Sequence, residues 1–339
     1  MYKYLKLHLL IRSNRIKFFF LWLFHTLRLR HLSLRMDPII ACNLSCLMCY
    51  FSDDMYRRNN KGKFTAEQSD RIAEIMFPYA LQVVLGCATE PSLYKDYVGI
   101  VKKAKEMGVP NISLTTNAQL ITKEKVKELV ASGLSEFTVS VHGVTKETYE
   151  RFMPGAKHEV LLEFFQNLKD EKIRTGKSLP KLRINYTTNP DNIHELEDFY
   201  KVYGEFGVDL LQLRPVMEIG GVYHKLFEDR EDIQAYKSLV ERLKAESRQR
   251  KVMFLANLSD ISYSQKSETT PILESVYRYV SPNVVWNPDF DWKTEDYFAY
   301  SKRIGWGKWL WRNIWSDLGT EEKDESFLKK YSGRYEMVS

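Results

Sequence analysis

Three cysteines fall within eight residues of the stretch DPIIACNLSCLMCYFSDD: Cys42, Cys46 and Cys49, spaced C-x3-C-x2-C. The 339-residue chain holds one other cysteine, Cys87. Thiolates are ligands for soft metals and for iron–sulfur clusters. Structural zinc takes four protein ligands, usually from two separated C-x-x-C pairs, whereas one loop here offers three. Three thiolates on a four-iron cube leave one iron open to bind something else. A closed zinc site completed by Cys87 is the alternative. Four cysteines with three crowded together do not make a secreted disulfide framework, and the grouping points to a reducing compartment.

A loop of this kind needs a framework, and the surrounding pattern supplies one. Apolar runs that read as strands lie at 34–41, 82–87, 111–117, 136–142, 181–188 and 209–214. Helical periodicity lies between them, near 65–79, 95–107, 122–132, 158–173, 192–206 and 231–249. Thr65 with Gln68 forms a candidate capping box, and Thr122 a simple cap. Six strand–helix alternations imply a parallel sheet, because parallel neighbours require crossover helices. Working residues in such sheets gather at the strand C-terminal ends. Read in order, those ends are the cysteine loop, then Glu90, Asn117, Ser140 with His142, Asn185 with Thr187, and Arg214.

On these residues the chain resembles the radical S-adenosylmethionine (SAM) superfamily. Its signature is C-x3-C-x2-C after the first strand of a partial (β/α)6, TIM-like barrel, and the likeness covers about residues 34–215. The resemblance implies one [4Fe–4S] cluster held by Cys42, Cys46 and Cys49, with SAM chelating the open iron through its amino and carboxylate groups. Reductive cleavage of SAM would then give methionine and a 5′-deoxyadenosyl radical that removes a hydrogen atom from the substrate. The cofactor carries that chemistry, and the barrel supplies orientation and exclusion of solvent.

Further motifs carry over residue by residue. LGCATEPSL resembles the Gly-Gly-Glu-Pro segment that contacts the SAM amino group; Glu90 and Pro91 match, while Ala88 and Thr89 stand where glycines are usual. SLTTNA resembles the third-strand Thr-Asn-Gly, which puts Asn117 near the cofactor. VSVHGVTKETYERF resembles the fourth-strand Ser-x-Asp-Gly; Ser140 matches, and His142 takes the place of the Asp. Arg151 stands where an arginine able to pair with the SAM carboxylate often follows this strand, and Tyr50, after the third cysteine, joins the expected cofactor contacts. Met48 takes a position often filled by an aromatic. Cys87 reads either as strand-end packing or as a hydrogen donor. The local style resembles the peptide-maturase and cofactor-synthesis branches of that family, many of whose maturases end in a cysteine-rich domain with auxiliary clusters, but residues 88–339 contain no cysteine.

The net charge of +6 comes from one end of the chain. Residues 1–36 hold eight Lys or Arg and no acid, and the remaining 42 basic residues face 44 acidic ones. The body therefore gives no expectation of nucleic-acid binding. The run FFFLWLF (Phe18 to Phe24) is too short to span a bilayer, and HTLRLRHLSLR follows where a signal cleavage site would need small residues. The segment either lies in an anionic membrane surface or packs its aromatics on the main domain.

The expected organisation is a basic amphipathic segment (1–32), a core barrel (33–255) and a C-terminal extension (256–339) with six of the seven tryptophans and about twenty charged, disorder-prone residues at its end. The expectation is a cytoplasmic enzyme, peripheral on the inner face of the membrane if residues 1–32 bind it. Its electron donor would resemble flavodoxin or ferredoxin. Its substrate, a peptide, sugar or lipid-linked metabolite, is not identified by these residues. The competing readings are a zinc-binding, membrane-recruited adaptor and a radical SAM fold that has lost turnover.

Overall fold

The computed structural model describes residues 11, 13–217, 221–256 and 271–315. Residues 1–10, 12, 218–220, 257–270 and 316–339 lie outside that set, as do the expectations placed on them.

The chain begins with α1 (Asn14–Thr26) and β1 (Leu32–Met36), then α2 (Asp54–Asn59) and α3 (Ala66–Met76). Next come β2 (Ala80–Leu85), α4 (Tyr97–Glu106), β3 (Asn111–Thr116), α5 (Lys123–Ala131) and β4 (Glu136–Val141). After these follow α6 (Lys146–Phe152), α7 (His158–Thr175), β5 (Lys181–Thr188), α8 (Phe199–Tyr203) and β6 (Leu210–Pro215). The last elements are α9 (Arg230–Gln249), β7 (Met253–Ala256), α10 (Pro271–Val276), β8 (Tyr277–Ser281), β9 (Val284–Val285), α11 (Tyr297–Arg303) and α12 (Trp306–Trp315).

Among the described residues one open sheet runs in the order β7-β6-β5-β4-β3-β2-β1-β8-β9, parallel throughout except for β9. All six expected strands are present, as the partial barrel requires. Their apolar runs follow from burial on both faces; Phe137, Val139 and Val141 of β4, for example, are completely buried. Thr65 and Gln68 form the capping box reciprocally, while Thr122 only accepts from Lys125 N. The first strand is shorter than 34–41 because Pro38 lacks an N–H for the ladder. The expected helix at 192–206 is broken into the 3-10 turn Ile193–Asp198, the short α8 and a second turn.

The C-terminal region does not simply follow the barrel. It crosses to the far edge, where β8 pairs in parallel with β1 from Ser33↔Tyr277 to Met36↔Val280. There α1 packs Phe18 and Leu21 against Leu310 and Ile314 of α12, with the Trp22 and Trp311 rings 4.7 Å apart.

Candidate active site

The cysteine loop leaves β1 at Asp37. Cys49 N donates to Cys46 O at 2.9 Å, and Leu44 N donates to Cys42 Sγ at 3.4 Å. The Arg57 guanidinium, from α2, fastens the loop by donating to Leu44 O, to Phe51 O and, at 2.7 Å, to Ser45 Oγ. Residues 221–223 lie against the other side. Tyr223 N donates to Leu47 O at 3.1 Å. A Cβ on Gly221 would come within 2.5 Å of Leu47 O and 2.8 Å of Cys49 N, so only glycine permits this approach.

Burial pushes the Cys42 thiol up to about 11 and Cys46 well above the ordinary thiol range, while Cys49 is also raised. Cys42 and Cys49 both add to the rise at Cys46, so the three sulfurs lie within electrostatic reach of one another; Arg57 opposes the rise at each. Cys87 is set apart. It opens onto the cavity but is otherwise enclosed, and its thiol is pushed up to about 12 by burial and by Asp37.

Two buried carboxylates hold the strand ends. Asp37 accepts from Cys87 N at 2.8 Å, Ala88 N at 3.2 Å, Thr89 Oγ1 at 2.9 Å and Tyr279 Oη at 2.8 Å. It thereby ties β1, the β2 loop and β8 together. Glu90 Oε1 accepts from Ser92 N, Ser92 Oγ and Thr116 Oγ1 at 3.1, 2.6 and 2.9 Å, and Oε2 accepts from Asn117 N at 2.8 Å. Burial pushes both carboxyls up, and these donors pull them back down. Gly86, at φ +80°, lets the β2 loop sit against β3, since a Cβ there would lie 2.2 Å from Thr115 O.

Around these supports lies a cavity of about 300 Å³. Every expected cofactor or metal residue lines it except Arg151: Cys42, Cys46, Cys49, Tyr50, Glu90, Asn117, Ser140 and His142 all do, together with Cys87 and Met48. Tyr50 Oη donates to Ala88 O at 2.9 Å. Asn117 Nδ2 donates to Asn43 Oδ1 at 2.9 Å and lies 3.9 Å from Cys42 Sγ. Met48 Sδ accepts from Asn189 Nδ2 at 3.1 Å.

His142 is lowered to about 4 by burial and by the Arg214 charge, so it is neutral. Its Nδ1 lies 2.9 Å from Val141 O. A carbonyl only accepts, so Nδ1 carries the proton and Nε2 is an acceptor. His142 thus presents an acceptor to the cavity.

Arg151 is the correction. It sits on the outer side of α6, 62% exposed and 3.7 Å from Asp191. At the end of β6 it is Arg214 that reaches the cavity, beside Thr187. Asn185 turns away to accept from Arg183 Nε at 3.0 Å. Asp37, Thr116 and Tyr279 were not singled out by sequence reasoning, since their partners lie far along the chain, and Arg57, whose partners are within the cysteine loop and the turn after it, carries no motif.

Cys42, Cys46 and Cys49 all line this cavity, and thiols are the donor type that an iron–sulfur cluster takes, so the residues present fit such a group by donor chemistry. A family model described as the radical SAM superfamily matches residues 36–203. A protein named "Probable GTP 3',8-cyclase" from Sulfurisphaera tokodaii is 27% identical over 213 residues, covering 61% of this chain and 63% of that protein. One of the same name from Saccharolobus islandicus (strain M.14.25) is 24% identical over 224 residues, covering 65% and 68%. The chain thus matches only about two thirds of the length of these relatives. Among solved structures, Streptococcus suis SuiB bound to S-adenosylmethionine superposes with a TM-score of 0.58 at 17% identity, covering 77% of this chain and 61% of that one. Native anSMEcpe with bound AdoMet and Kp18Cys peptide gives 0.52 at 17% identity, covering 66% and 63%. At such identities the two structures speak for the fold alone. Residues 36–203 thus carry a radical SAM domain, the mark of a superfamily of enzymes that use a [4Fe–4S] cluster and SAM.

Proposed function

We propose that this enzyme holds one cluster on Cys42, Cys46 and Cys49, binds SAM in the adjoining cavity, and removes a hydrogen atom from an organic substrate held in the same space. The observation that carries the reading is the convergence of three thiols and five strand ends on one cavity. When bound, the cluster supplies the electron that cleaves the SAM sulfonium.

The chain's residues take positioning roles. Arg57 offsets the negative charge that three thiolates would gather. Tyr50 holds the Ala88 carbonyl, and Glu90 Oε2, which accepts from Asn117 N, can also accept from the SAM amine. Ser140 and the Nε2 acceptor of His142 suit ribose hydroxyls. Arg214, in place of Arg151, suits a carboxylate or phosphate. Asn117 steadies the cysteine loop through Asn43.

Radical SAM enzymes act on a substrate and need a reductant. We assign that reductant to an external donor such as flavodoxin or ferredoxin. We assign the protein to the cytoplasm, because crowded free thiols suit a reducing compartment. Cys87, beside Asp37 and Arg35 rather than the other thiols, does not complete a four-thiol zinc site in this reading.

Anaerobic reconstitution tests it: four iron and four sulfide per chain, with 5′-deoxyadenosine formed from SAM under reduction, are expected for the family. Stoichiometric zinc that is lost in Cys87→Ala would overturn the reading. A second reading comes from the relatives' name, with a nucleoside triphosphate as substrate and Arg214 meeting its phosphates. GTP should then stimulate 5′-deoxyadenosine formation and be consumed with it. If GTP is inert, that reading is removed and the first stands.

A further inference from the structure

We propose that the face shared by α1 and α12 docks on an anionic phospholipid surface, with a headgroup seated in the groove between the two helices. Residues 1–32 are the segment in which sequence alone shows cationic and aromatic character. The fold pairs them with a second helix from the opposite end of the chain.

Phe18 and Leu21 of α1 pack on Leu310 and Ile314 of α12, so the two outward faces are fixed relative to one another. On α1 the exposed residues include three large apolar ones, Ile16, Phe19 and Phe20, all more than two-fifths exposed, beside the cation Arg15. On α12, Lys308, Trp311, Arg312 and Trp315 follow the i, i+3, i+4, i+7 spacing of one helical face, and each is exposed. Trp315 is 64% exposed. Neither helix carries an acid. Between them a groove of about 370 Å³ is lined by Trp22, Gly307, Lys308, Trp311 and Arg312. Two cations and two indoles around one groove suit a phosphate with its adjoining glycerol and acyl chain.

The same features decide among occupants. α1 has 13 residues, roughly 20 Å at 1.5 Å per residue, against a hydrocarbon core of about 30 Å. No described helix is long and apolar enough to cross a membrane, so α1 can lie along a bilayer rather than through it. A second copy would bring the same cations face to face. Tryptophan at headgroup depth with Lys and Arg beside it is the composition of the bilayer interface.

Flotation of the full-length holoenzyme with vesicles tests the proposal. Binding is expected to phosphatidylcholine vesicles containing phosphatidylglycerol, with Trp emission moving to the blue, and not to phosphatidylcholine alone. Each cation near such a surface contributes about fivefold, so Lys308→Glu with Arg312→Glu should weaken binding roughly tenfold or more. Added salt should weaken it too. Trp315→Ser should weaken binding and leave the salt dependence in place. Neither pair of changes touches the SAM cavity, so 5′-deoxyadenosine yield should be unchanged. This separates loss of docking from loss of fold, and keeps the test independent of the enzyme reading. Equal binding to neutral vesicles, full binding by the double Glu variant, or a dimer that Trp315→Ser dissolves would each overturn the proposal.

Discussion

Asp37 and Arg278 are both fully buried, on the adjacent strands of one sheet edge, yet they are accommodated in different ways. Asp37, just beyond β1, is ringed by four donors drawn from the β2 loop and from Tyr279. Arg278, in β8, donates Nη1 to Tyr277 O at 2.8 Å and otherwise lies between rings: Trp286 at 4.2 Å and Trp306 at 4.7 Å, with Tyr297 beside it. Hydrogen bonds are directional, so the Asp37 network sets where the Ala88 and Thr89 backbone must be. Rings hold a cation without dictating a bond direction. The cavity side of the sheet is built for position, and the side under the terminal helices is built for cohesion.

Substitutions can break or sharpen that contrast. The largest effect is expected in the cysteine loop. Alanine at Cys42, Cys46 or Cys49 should abolish bound iron and SAM cleavage, while Cys87→Ala keeps the cluster; iron and sulfide content read this directly. Next, Asp37→Ala leaves several buried donors without an acceptor and should cost about 3–5 kcal/mol in urea unfolding. Arg278→Met swaps a buried cation for an apolar chain of similar length and should change stability by less than about 1 kcal/mol. Equal losses at the two sites would remove the contrast.

A smaller effect is expected at Glu90. Glu90→Ala removes a charge-assisted acceptor worth about 1.5–3 kcal/mol, so SAM affinity should fall roughly tenfold or more with the cluster intact. Unchanged affinity in calorimetry would take Glu90 out of the SAM site. The smallest effect concerns pH. Burial lowers His25 to about 4 and His31 to about 3 from the usual 6.5. The unfolded chain therefore takes up protons first as pH falls. Their contribution is fully present above about pH 6.5 and is lost progressively below it, down through pH 4 and 3. Melting temperature should drop on acidification from pH 7 to 5, less steeply in His25→Gln; parallel slopes would show that this pair does not titrate in that range.

What was legible in the sequence was local. Three thiols within eight residues can never be far apart, because even a fully extended loop of that length spans only about 24 Å. Strands β1–β6 and the Thr65–Gln68 cap are likewise written in period and residue type within short windows. Glu90, Asn117, Ser140 and His142 were found because each closes a strand, and parallel strands deliver their ends to one side. Arg151 misled for the same reason in reverse. Its spacing after β4 is right, but the turn of α6 points it outward to Asp191.

What only the tertiary structure decided was pairing across distance. Tyr279 meets Asp37 from 242 positions away, and Gly221 closes on the cysteine loop across a similar breadth of chain. Helices α1 and α12, from opposite ends, become one face. No local propensity encodes these contacts. They follow from β8 joining the sheet beside β1, a choice set by where buried apolar surface and unpaired strand-edge groups remain once the first strands have assembled.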